Sequence, residues 1–276
     1  MTTAQQEIPQ SIDLVAIDLD GTLLTPEGVL TERNASAMRR ARAVGTHIIL
    51  ATGKSRASAR RIIAQLELHV PGVFTQGTTI YDARGKVWHE TTLARETAED
   101  LLRFTGERGL PTLAYAGERL LMPADSKYRR QMHEQYHEPL PDIAPKLAAE
   151  LDRVTINKLV VIDPVDVGLV RQALESLCAG AAHVTQAVSH FIEVLPPGAS
   201  KGAGLRWLLE QMDVRPARVM AIGDGENDIE MLQMVGLGVA MGNAHPRLKA
   251  VARQVTGSNA GSGVAQAIER FVLKDG

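Results

Sequence analysis

The sequence predicts an α/β protein in which a doubly wound (Rossmann-like) parallel sheet carries an inserted α+β domain. Over the first 75 residues short apolar runs alternate with helical segments, and strands separated by helices of this length pair in parallel with both faces covered. The same alternation returns after Pro196-Pro197, beyond a middle stretch with a different rhythm. Similar chain ends around a dissimilar middle indicate an insertion. We therefore expect a core of residues 1–83 and 191–276 and an insert of residues 84–190.

The first core segment begins with a buried strand. Leu14–Asp18 is an apolar run that stops at a Gly-Thr turn, which is typical of a strand that feeds a loop. Thr31 is suited to cap a helix over Glu32–Val44, which ends at Gly45. The same patterns predict the other elements of this segment, all strands being parallel: strand His47–Leu50, helix Arg56–Leu66 and a third strand near Val73 and Phe74.

The middle stretch begins near residue 80. Ile80–Leu93 contains two strand-like pieces around a turn at Arg84-Gly85, as in a β-hairpin. The elements that follow have an α+β order: helix Ala94–Arg108, strands Thr112–Ala116 and Asn157–Ile162, helix Val165–Cys178 and strand Phe191–Val194.

The second core segment follows Pro196-Pro197 and repeats the first rhythm. It is predicted to contain helix Gly202–Met212, strand Arg218–Ile222, helix Asp228–Val235, strand Gly238–Ala240 and a last helix over Val264–Leu273.

Composition excludes several classes of protein. Lys and Arg number 30 against 32 Asp and Glu, a net charge of −2, so the overall balance does not point to nucleic acid or an anionic membrane. The one cysteine, Cys178, cannot form an intrachain disulfide and is expected to be buried. The first residues do not resemble a signal peptide, and no apolar run reaches the ~18 residues of a membrane span. A cytoplasmic setting follows as an expectation.

Acidic side chains follow two predicted core strands. Asp18 and Asp20 stand where the first strand opens into a loop, and Asp224 and Asp228 follow strand Arg218–Ile222. Because parallel strands deliver their carboxyl ends to one edge of a sheet, these carboxylates are expected to meet there. Crowded carboxylates repel one another, and oxygen ligands without His or Cys favour Mg²⁺. For either cluster alone, acids that mark turns and helix caps are the alternative.

Two further polar residues suit an anion. Thr52 follows a strand and precedes a helix, where a hydroxyl and helical N–H groups can bind an anion, and Lys201 opens another helix. A phosphate monoester beside Mg²⁺ fits this set. One carboxylate can attack phosphorus and form an aspartyl-phosphate, while a second protonates the leaving alcohol and later activates water. We expect hydrolysis of a small phosphorylated metabolite, with a phosphoryl transferase or phosphomutase as the alternative.

The order Asp-x-Asp-Gly-Thr, strand-Thr, Lys and Gly-Asp-x-x-Asn-Asp resembles the haloacid dehalogenase (HAD) superfamily of phosphatases. The Cof-type branch is indicated by Ser200-Lys201-Gly202, by Met231-Leu232 after the second acidic cluster, by Ala240-Met241-Gly242-Asn243-Ala244 and by Gly263-Val264-Ala265. In this family Asn-Gly-Ala usually stands near the first hinge, where this chain has Gln76-Gly77-Thr78.

The resemblance implies roles for individual residues. Asp18 would be the nucleophile and Asp20 the acid/base. Thr52, Gly53, Lys201 and Asn227 would bind the phosphoryl group. Mg²⁺ would be bound by Asp18, the backbone carbonyl of Asp20 and Asp224, with Asp228 supporting the metal indirectly. The insert would be a cap that closes over the phosphate and sets substrate choice, with five candidate contacts: Arg129, Arg130, His133, Tyr136 and Lys158.

Other patterns compete with this interpretation. Gly198-Ala199-Ser200-Lys201-Gly202 matches the G-x-S-x-G elbow of serine hydrolases, with Asp224 and His245 following in the right order. Against it, Pro196-Pro197 separates the strand from the turn. His133 and His137, four residues apart, are a candidate metal pair, although a solvated helix face explains them better. A phospho-ligand sensor would need no nucleophile, and the pair Asp18 and Asp20 argues against that class.

Overall fold

The computed structural model of the protein describes residue 9 and residues 11–162, 164–186 and 190–274. Residues 1–8, 10, 275 and 276 of the predicted core, and residues 163 and 187–189 of the predicted insert, lie outside this description. No helix within the described ranges is long and apolar enough to cross a membrane.

The strands are, in chain order, β1 (Leu14–Ile17), β2 (His47–Leu50), β3 (Gly72–Phe74), β4 (Thr79–Tyr81), β5 (Val87–Glu90), β6 (Thr112–Ala116), β7 (Arg119–Met122), β8 (Asp142–Ile143), β9 (Lys158–Ile162), β10 (His183–Thr185), β11 (Phe191–Leu195), β12 (Val219–Gly223), β13 (Leu237–Ala240) and β14 (Gln254–Val255). The α-helices are α1 (Glu32–Ala43), α2 (Arg56–Gln65), α3 (Arg95–Glu107), α4 (Lys127–Glu134), α5 (Val167–Cys178), α6 (Lys201–Gln211), α7 (Ile229–Met234), α8 (Pro246–Val251) and α9 (Gly263–Ile268). Short 3₁₀ or π turns cover Leu19–Leu23, Thr75–Gly77, Leu147–Asp152, Pro216–Arg218, Glu226–Asp228, Asn259–Gly261 and Glu269–Leu273.

The core sheet is parallel, which confirms the predicted fold class. Its order is β14-β13-β12-β1-β2, and Leu14 of β1 lies opposite His47 on one side and Val219 on the other. All four residues of β1 are buried, as expected for a strand covered on both faces. From β1 the chain continues to β2 on one side, whereas β12 lies on the other. The boundary between β1 and β12 is therefore a topological switch point, where ligands bind in open α/β sheets.

The third predicted strand does not pair as expected, that is, as a full parallel strand of the core sheet. β3 forms one parallel bridge to the core sheet, between Val73 and Ala51, and then pairs antiparallel with β4, which pairs with β5. The physical reason is the turn after β3, where Thr75, Gln76 and Gly77 all have positive φ and reverse the chain at once. The third strand is thus mainly part of a small antiparallel sheet.

The insert contains a six-stranded sheet of order β10-β11-β9-β6-β7-β8, antiparallel except between β7 and β8. An apolar cluster with side chains from α3 and α5, among them Leu101 and Leu174, packs with this sheet and includes Cys178, which is buried as expected. The predicted α+β character is confirmed. Four elements, β7, α4, β8 and β10, lie where the sequence predicted none.

The hydrophobic clusters show how the chain divides. One cluster includes residues from Ile12 to Tyr81 and from Leu205 to Ile268, and a second includes residues from Leu93 to Val194. β11 pairs with β9 and β10, so it lies in the sheet of the insert although the predicted boundary assigned it to the core. Trp88 of β5 contacts Trp207 of α6, with ring centroids 5.5 Å apart, so the hairpin packs on the core. The boundaries at 83/84 and 190/191 remain predictions.

Candidate active site

Three carboxylates meet at the carboxyl edge of the core sheet. Asp18 follows β1, and Asp224 and Asp228 follow β12. One oxygen of each lies within 4.8 Å of the other two. Asp18 and Asp228 are buried, with 5% and 0% exposure. The sequence analysis predicted both acidic clusters at one edge of the sheet. The parallel pairing of β1 with β12 brings these three residues together there.

Lys201 neutralises part of this charge. It is the first residue of α6, and its Nζ donates to Asp18 Oδ1 at 2.7 Å and to Asp228 Oδ1 at 2.8 Å. The second oxygen of Asp228 accepts the backbone N–H groups of Asp224 and Gly225, both at 3.0 Å. When all groups are charged, three carboxylates against one ammonium leave a surplus of two negative charges in a largely buried site.

Burial and the surplus negative charge both shift the pKa values of the cluster. Burial raises the pKa of Asp18 well above its usual range; Asp228 and Asp224 raise it further, whereas Lys201 lowers it. Burial, and then repulsion from Asp228, raises the pKa of Asp224 to about 6. Burial alone would lower the pKa of Lys201, but attraction to Asp18 and Asp228 outweighs it and the pKa lies above its usual value. Crowded, hard oxygen ligands with surplus charge fit a divalent cation.

The Gly21-Thr22 pair fits closely around Asp224. Gly21 has φ +72°, and a Cβ there would lie 2.2 Å from Asp224 Oδ2, so a side chain would displace the carboxylate. Thr22 Oγ1 donates to Asp224 Oδ1 at 2.8 Å. Asn243 Nδ2 donates to the carbonyl of Gly21 at 2.7 Å. The loop after β1 therefore holds the carboxylate delivered by β12.

Asp20 lies outside the carboxylate triad. Its side chain is exposed and lies 3.1 Å from Lys54 Nζ, which also donates to the carbonyl of Tyr136 at 2.7 Å. The predicted metal set included Asp20 through its backbone carbonyl. That metal ligand remains a prediction, and the carboxylate of Asp20 lies at the cavity that the core and the insert share.

The predicted phosphate-binding residues line this cavity. Its volume is about 310 Å³, and Thr52, Gly53, Lys201 and Asn227 lie on its wall with Asp18. Thr52 is buried, and its Oγ1 accepts the N–H of Lys54 at 3.2 Å. The structure thus brings the nucleophile and phosphate-binding candidates into one space.

Two of the five candidate contacts from the insert also line the cavity, Tyr136 and Lys158. Arg129 is directed elsewhere, because its Nε donates to the carbonyl of Pro141, and His133 Nδ1 lies 2.8 Å from the carbonyl oxygen of Glu138. Arg130 is not on the cavity wall.

Several wall residues were not identified from the sequence. Glu193 is buried in β11 and accepts from Lys158 Nζ at 2.8 Å, and Lys158 also donates to the carbonyl of Gly53 at 2.9 Å. A charged residue inside the apolar run Phe191–Leu195 was a usable signal, because an unpaired buried charge is costly. The other missed wall residues with polar side chains are Lys54, Gln76, Tyr115 and Glu138.

Ser200 has a structural task. Its Oγ accepts the N–H of Ala203 at 2.9 Å, which caps α6, and donates to Glu230. Asp224 is bound by Thr22, and His245 Nδ1 lies 3.2 Å from Glu226 Oε1. The three residues of the serine-hydrolase alternative therefore have separate partners.

A family model described as haloacid dehalogenase-like hydrolase matches residues 15–268. Chloroplastic endoribonuclease YBEY of Arabidopsis thaliana is 36% identical over 267 residues, 93% of this chain, but the chain spans only 46% of that protein's length. A candidate phosphatase of Streptococcus pyogenes is 31% identical over 95% of this chain and 99% of its own. HMP-PP phosphatase of Cronobacter sakazakii is 29% identical over 86% of each chain. Among solved structures, a candidate HAD/COF-like hydrolase from Plasmodium vivax matches with a TM-score of 0.87 and 26% identity over 96% of both chains.

Proposed function

The chain belongs to the haloacid dehalogenase-like hydrolases, as a Cof-type phosphatase, and on this premise we propose that it hydrolyses a small phosphomonoester with Mg²⁺ through an aspartyl-phosphate on Asp18. The observation that carries the proposal is the pairing of two carboxylates at one cavity. Asp18 is buried and held by Lys201, whereas Asp20 is exposed beside Lys54. Two carboxylates in such different environments suit two different roles.

In the first step an oxygen of Asp18 forms a bond to phosphorus. The bond between phosphorus and the leaving oxygen breaks, and Asp20 transfers its proton to that oxygen, so the alcohol leaves neutral. Lys201 binds Oδ1 of Asp18, so we assign the attack to Oδ2. Thr52, Gly53 and Asn227 would hold the phosphoryl oxygens during the transfer.

In the second step Asp20, now a carboxylate, takes a proton from water. The hydroxide oxygen bonds to phosphorus, the bond from phosphorus to Asp18 breaks, and inorganic phosphate leaves. This restores the Asp18 carboxylate and the protonated Asp20, so atoms and charges balance over the cycle.

We assign the metal site to Asp18, Asp224 and the backbone carbonyl of Asp20, with Asp228 holding the loop through its bonds to Asp224 and Gly225. Bound there, Mg²⁺ would neutralise charge on the phosphoryl group and on the crowded carboxylates. Asp228 has both oxygens occupied by Lys201 and backbone N–H groups, which suits support of the site.

The substrate is expected to be a small phosphorylated metabolite. The cavity of about 310 Å³ is lined partly by residues of the insert, and the Cronobacter sakazakii relative is named for HMP-PP. The Arabidopsis thaliana name does not extend the proposal to RNA, because this chain spans under half of that protein. A cytoplasmic setting remains a prediction.

Metal dependence and the covalent intermediate can be tested together. Enzyme dialysed against EDTA should lose turnover of p-nitrophenyl phosphate and regain it with Mg²⁺. Enzyme quenched in acid during turnover of ³²P-labelled substrate should carry label on the peptide that contains Asp18. Asp18→Asn should abolish both turnover and labelling, while Asp13→Asn, at the entrance to the same strand, should retain them. Undiminished turnover in Asp18→Asn or in the metal-free enzyme would contradict the proposal.

A further inference from the structure

We propose that Gln76 is a positioning residue that fixes the amide of Asn227 toward the phosphate and ties its orientation to the insert. The inference rests on the phosphate-binding role proposed above for Asn227. It concerns a residue to which the sequence motifs gave no role, at the position where the chain departs from the usual Asn-Gly-Ala of the family.

The backbone conformation at Gln76 is energetically unfavourable. Thr75, Gln76 and Gly77 have φ values of 52°, 59° and 85°, a run of left-handed residues in which only glycine is free of strain. Backbone hydrogen bonds hold the turn on residues 52–54, which we call the phosphate-binding loop: Thr75 N donates to the carbonyl of Lys54 at 2.8 Å, and Gln76 N donates to the carbonyl of Thr52 at 3.2 Å. Strain of this kind persists where the surroundings fix it, and it is concentrated at functional sites.

The side chain of Gln76 connects three parts of the site. It is buried, with 2% exposure. Its Nε2 donates to Glu193 Oε2 at 2.7 Å, and its Oε1 accepts from Asn227 Nδ2 at 3.0 Å. A Cβ on Gly53 would lie 2.6 Å from Gln76 Nε2, so the amide packs directly on the phosphate-binding loop. One side chain therefore touches Gly53, Asn227 and a carboxylate of the insert.

The charge of Glu193 sets the direction of this hydrogen-bond chain. Glu193 is buried and paired with Lys158 at 2.8 Å, and an ionised carboxylate only accepts hydrogen bonds. The amide nitrogen of Gln76 must then face Glu193, and its carbonyl must face Asn227. Asn227 consequently presents its NH₂ group, of which one hydrogen goes to Gln76. We assign the second hydrogen to the phosphate, a dianion that needs donors.

The length of the side chain is essential for this function. Asparagine tolerates a positive φ better than glutamine does, but it is one methylene shorter and cannot bridge Glu193 and Asn227. In Gln76→Asn the easier backbone offsets part of the lost hydrogen bonding. We therefore expect a melting temperature close to that of the wild type together with impaired phosphate binding.

The test is a double-mutant cycle of Gln76→Asn and Asn227→Ala, assayed with p-nitrophenyl phosphate and Mg²⁺. Gln76→Asn should lower kcat/KM about tenfold and weaken inhibition by inorganic phosphate, and Asn227→Ala should lower kcat/KM at least as much. The double variant should be no worse than Asn227→Ala, because Gln76 acts through Asn227. Gln211→Asn, at the exposed end of α6, should behave as wild type.

Wild-type kcat/KM in Gln76→Asn, or a loss that adds fully to that of Asn227→Ala, would overturn the inference. A fully active Asn227→Ala beside an inactive Asp18→Asn would overturn it and the proposed role of Asn227, while leaving the proposed hydrolysis through Asp18 intact. A wild-type enzyme without phosphatase activity would overturn both. Glu193→Gln tests the direction of the hydrogen-bond chain separately. A neutral amide at position 193 no longer fixes the orientation of the Gln76 amide, so inhibition by inorganic phosphate should weaken. Unchanged inhibition would contradict the role of the Glu193 charge in orienting Gln76.

Discussion

The two ends of the cavity both contain buried charges, but they neutralise them differently. At the core end three carboxylates face one ammonium, that of Lys201. At the insert end Lys158 and Glu193 form a one-to-one pair. Carboxylates in excess of their cations repel one another, and a bound metal cation can reduce this repulsion. A one-to-one ion pair needs no further cation. Under the proposed function, the chemistry takes place at the core end, whereas the insert end attaches the insert to the core.

The attachment is concentrated on one segment, residues 53–58. Lys158 binds the carbonyl of Gly53, and the backbone of Tyr136 accepts from Lys54. Glu138 accepts from Ser55 Oγ at 2.7 Å and also from Ser58 Oγ. The loop and helix start that follow Thr52 are therefore the surface on which the insert docks. Under the proposed function, Gly53 is common to the attachment of the insert and to the binding of phosphate.

The largest effect is expected from Lys201→Met. It leaves Asp18 and Asp228 buried without their cation, which should cost about 3–5 kcal/mol of stability and lower turnover by about 10²–10³. Steady-state kinetics with p-nitrophenyl phosphate and thermal unfolding measure both effects. The neighbouring change Ser200→Ala should cost only about 1 kcal/mol through the helix cap and leave turnover within about twofold. If Ser200→Ala were the more damaging change, the core end would not be organised around Lys201.

A smaller effect is expected from Lys158→Met at the insert end. The change removes the bond to Gly53 and leaves Glu193 without its cation, so the phosphate-binding loop should loosen. We expect about a tenfold loss in kcat/KM, mainly through a higher KM, and a loss of stability of about 1–3 kcal/mol. Lys146→Met, an exposed lysine of the insert, is the control and should match the wild type. A loss confined to kcat would make Lys158 part of the chemistry and would remove the distinction between the two ends.

Glu138→Gln should have a milder effect. The amide can still accept from Ser55 and Ser58 but loses the charge that strengthens these bonds, so a loss of about 1 kcal/mol and a KM raised about threefold are expected. Glu134→Gln, exposed at the end of α4, is the matched control. Equal behaviour of the two variants in kinetics and unfolding would show that Glu138 does not hold the insert on the core.

The smallest effect is expected from Trp88→Ala in the hairpin. Loss of its edge-to-face contact with Trp207 should lower stability by about 0.5–1.5 kcal/mol, measured by urea unfolding, with kcat/KM unchanged. This result would place β5 with the core as a structural element. Changed substrate preference in Trp88→Ala would instead show that the hairpin contributes to substrate specificity. β5 would then belong with the insert end of the cavity.

Local sequence predicted the elements of the core end well. β2 has the predicted bounds, α1 and α2 end within one residue of theirs, and Asp18 and Asp224 stand at the strand ends where the motifs placed them. The insert was predicted less completely, because β7 and β10 carry no strong apolar alternation and α4 is mainly polar. The same polar surroundings made Arg129 and His133 indistinguishable from Tyr136 as wall residues.

By itself the sequence determined the parallel core, the insertion, and the acids and lysine that meet at one sheet edge, because each of these depends on patterns within a few residues of a strand or helix end. Only the tertiary structure decided how the insert meets that edge. Gln76 and Glu193 are 117 positions apart, and Lys158 and Gly53 are 105 apart. No periodicity links such pairs. A buried charge requires a partner but does not specify which, so the partner is chosen by the packing of the two units.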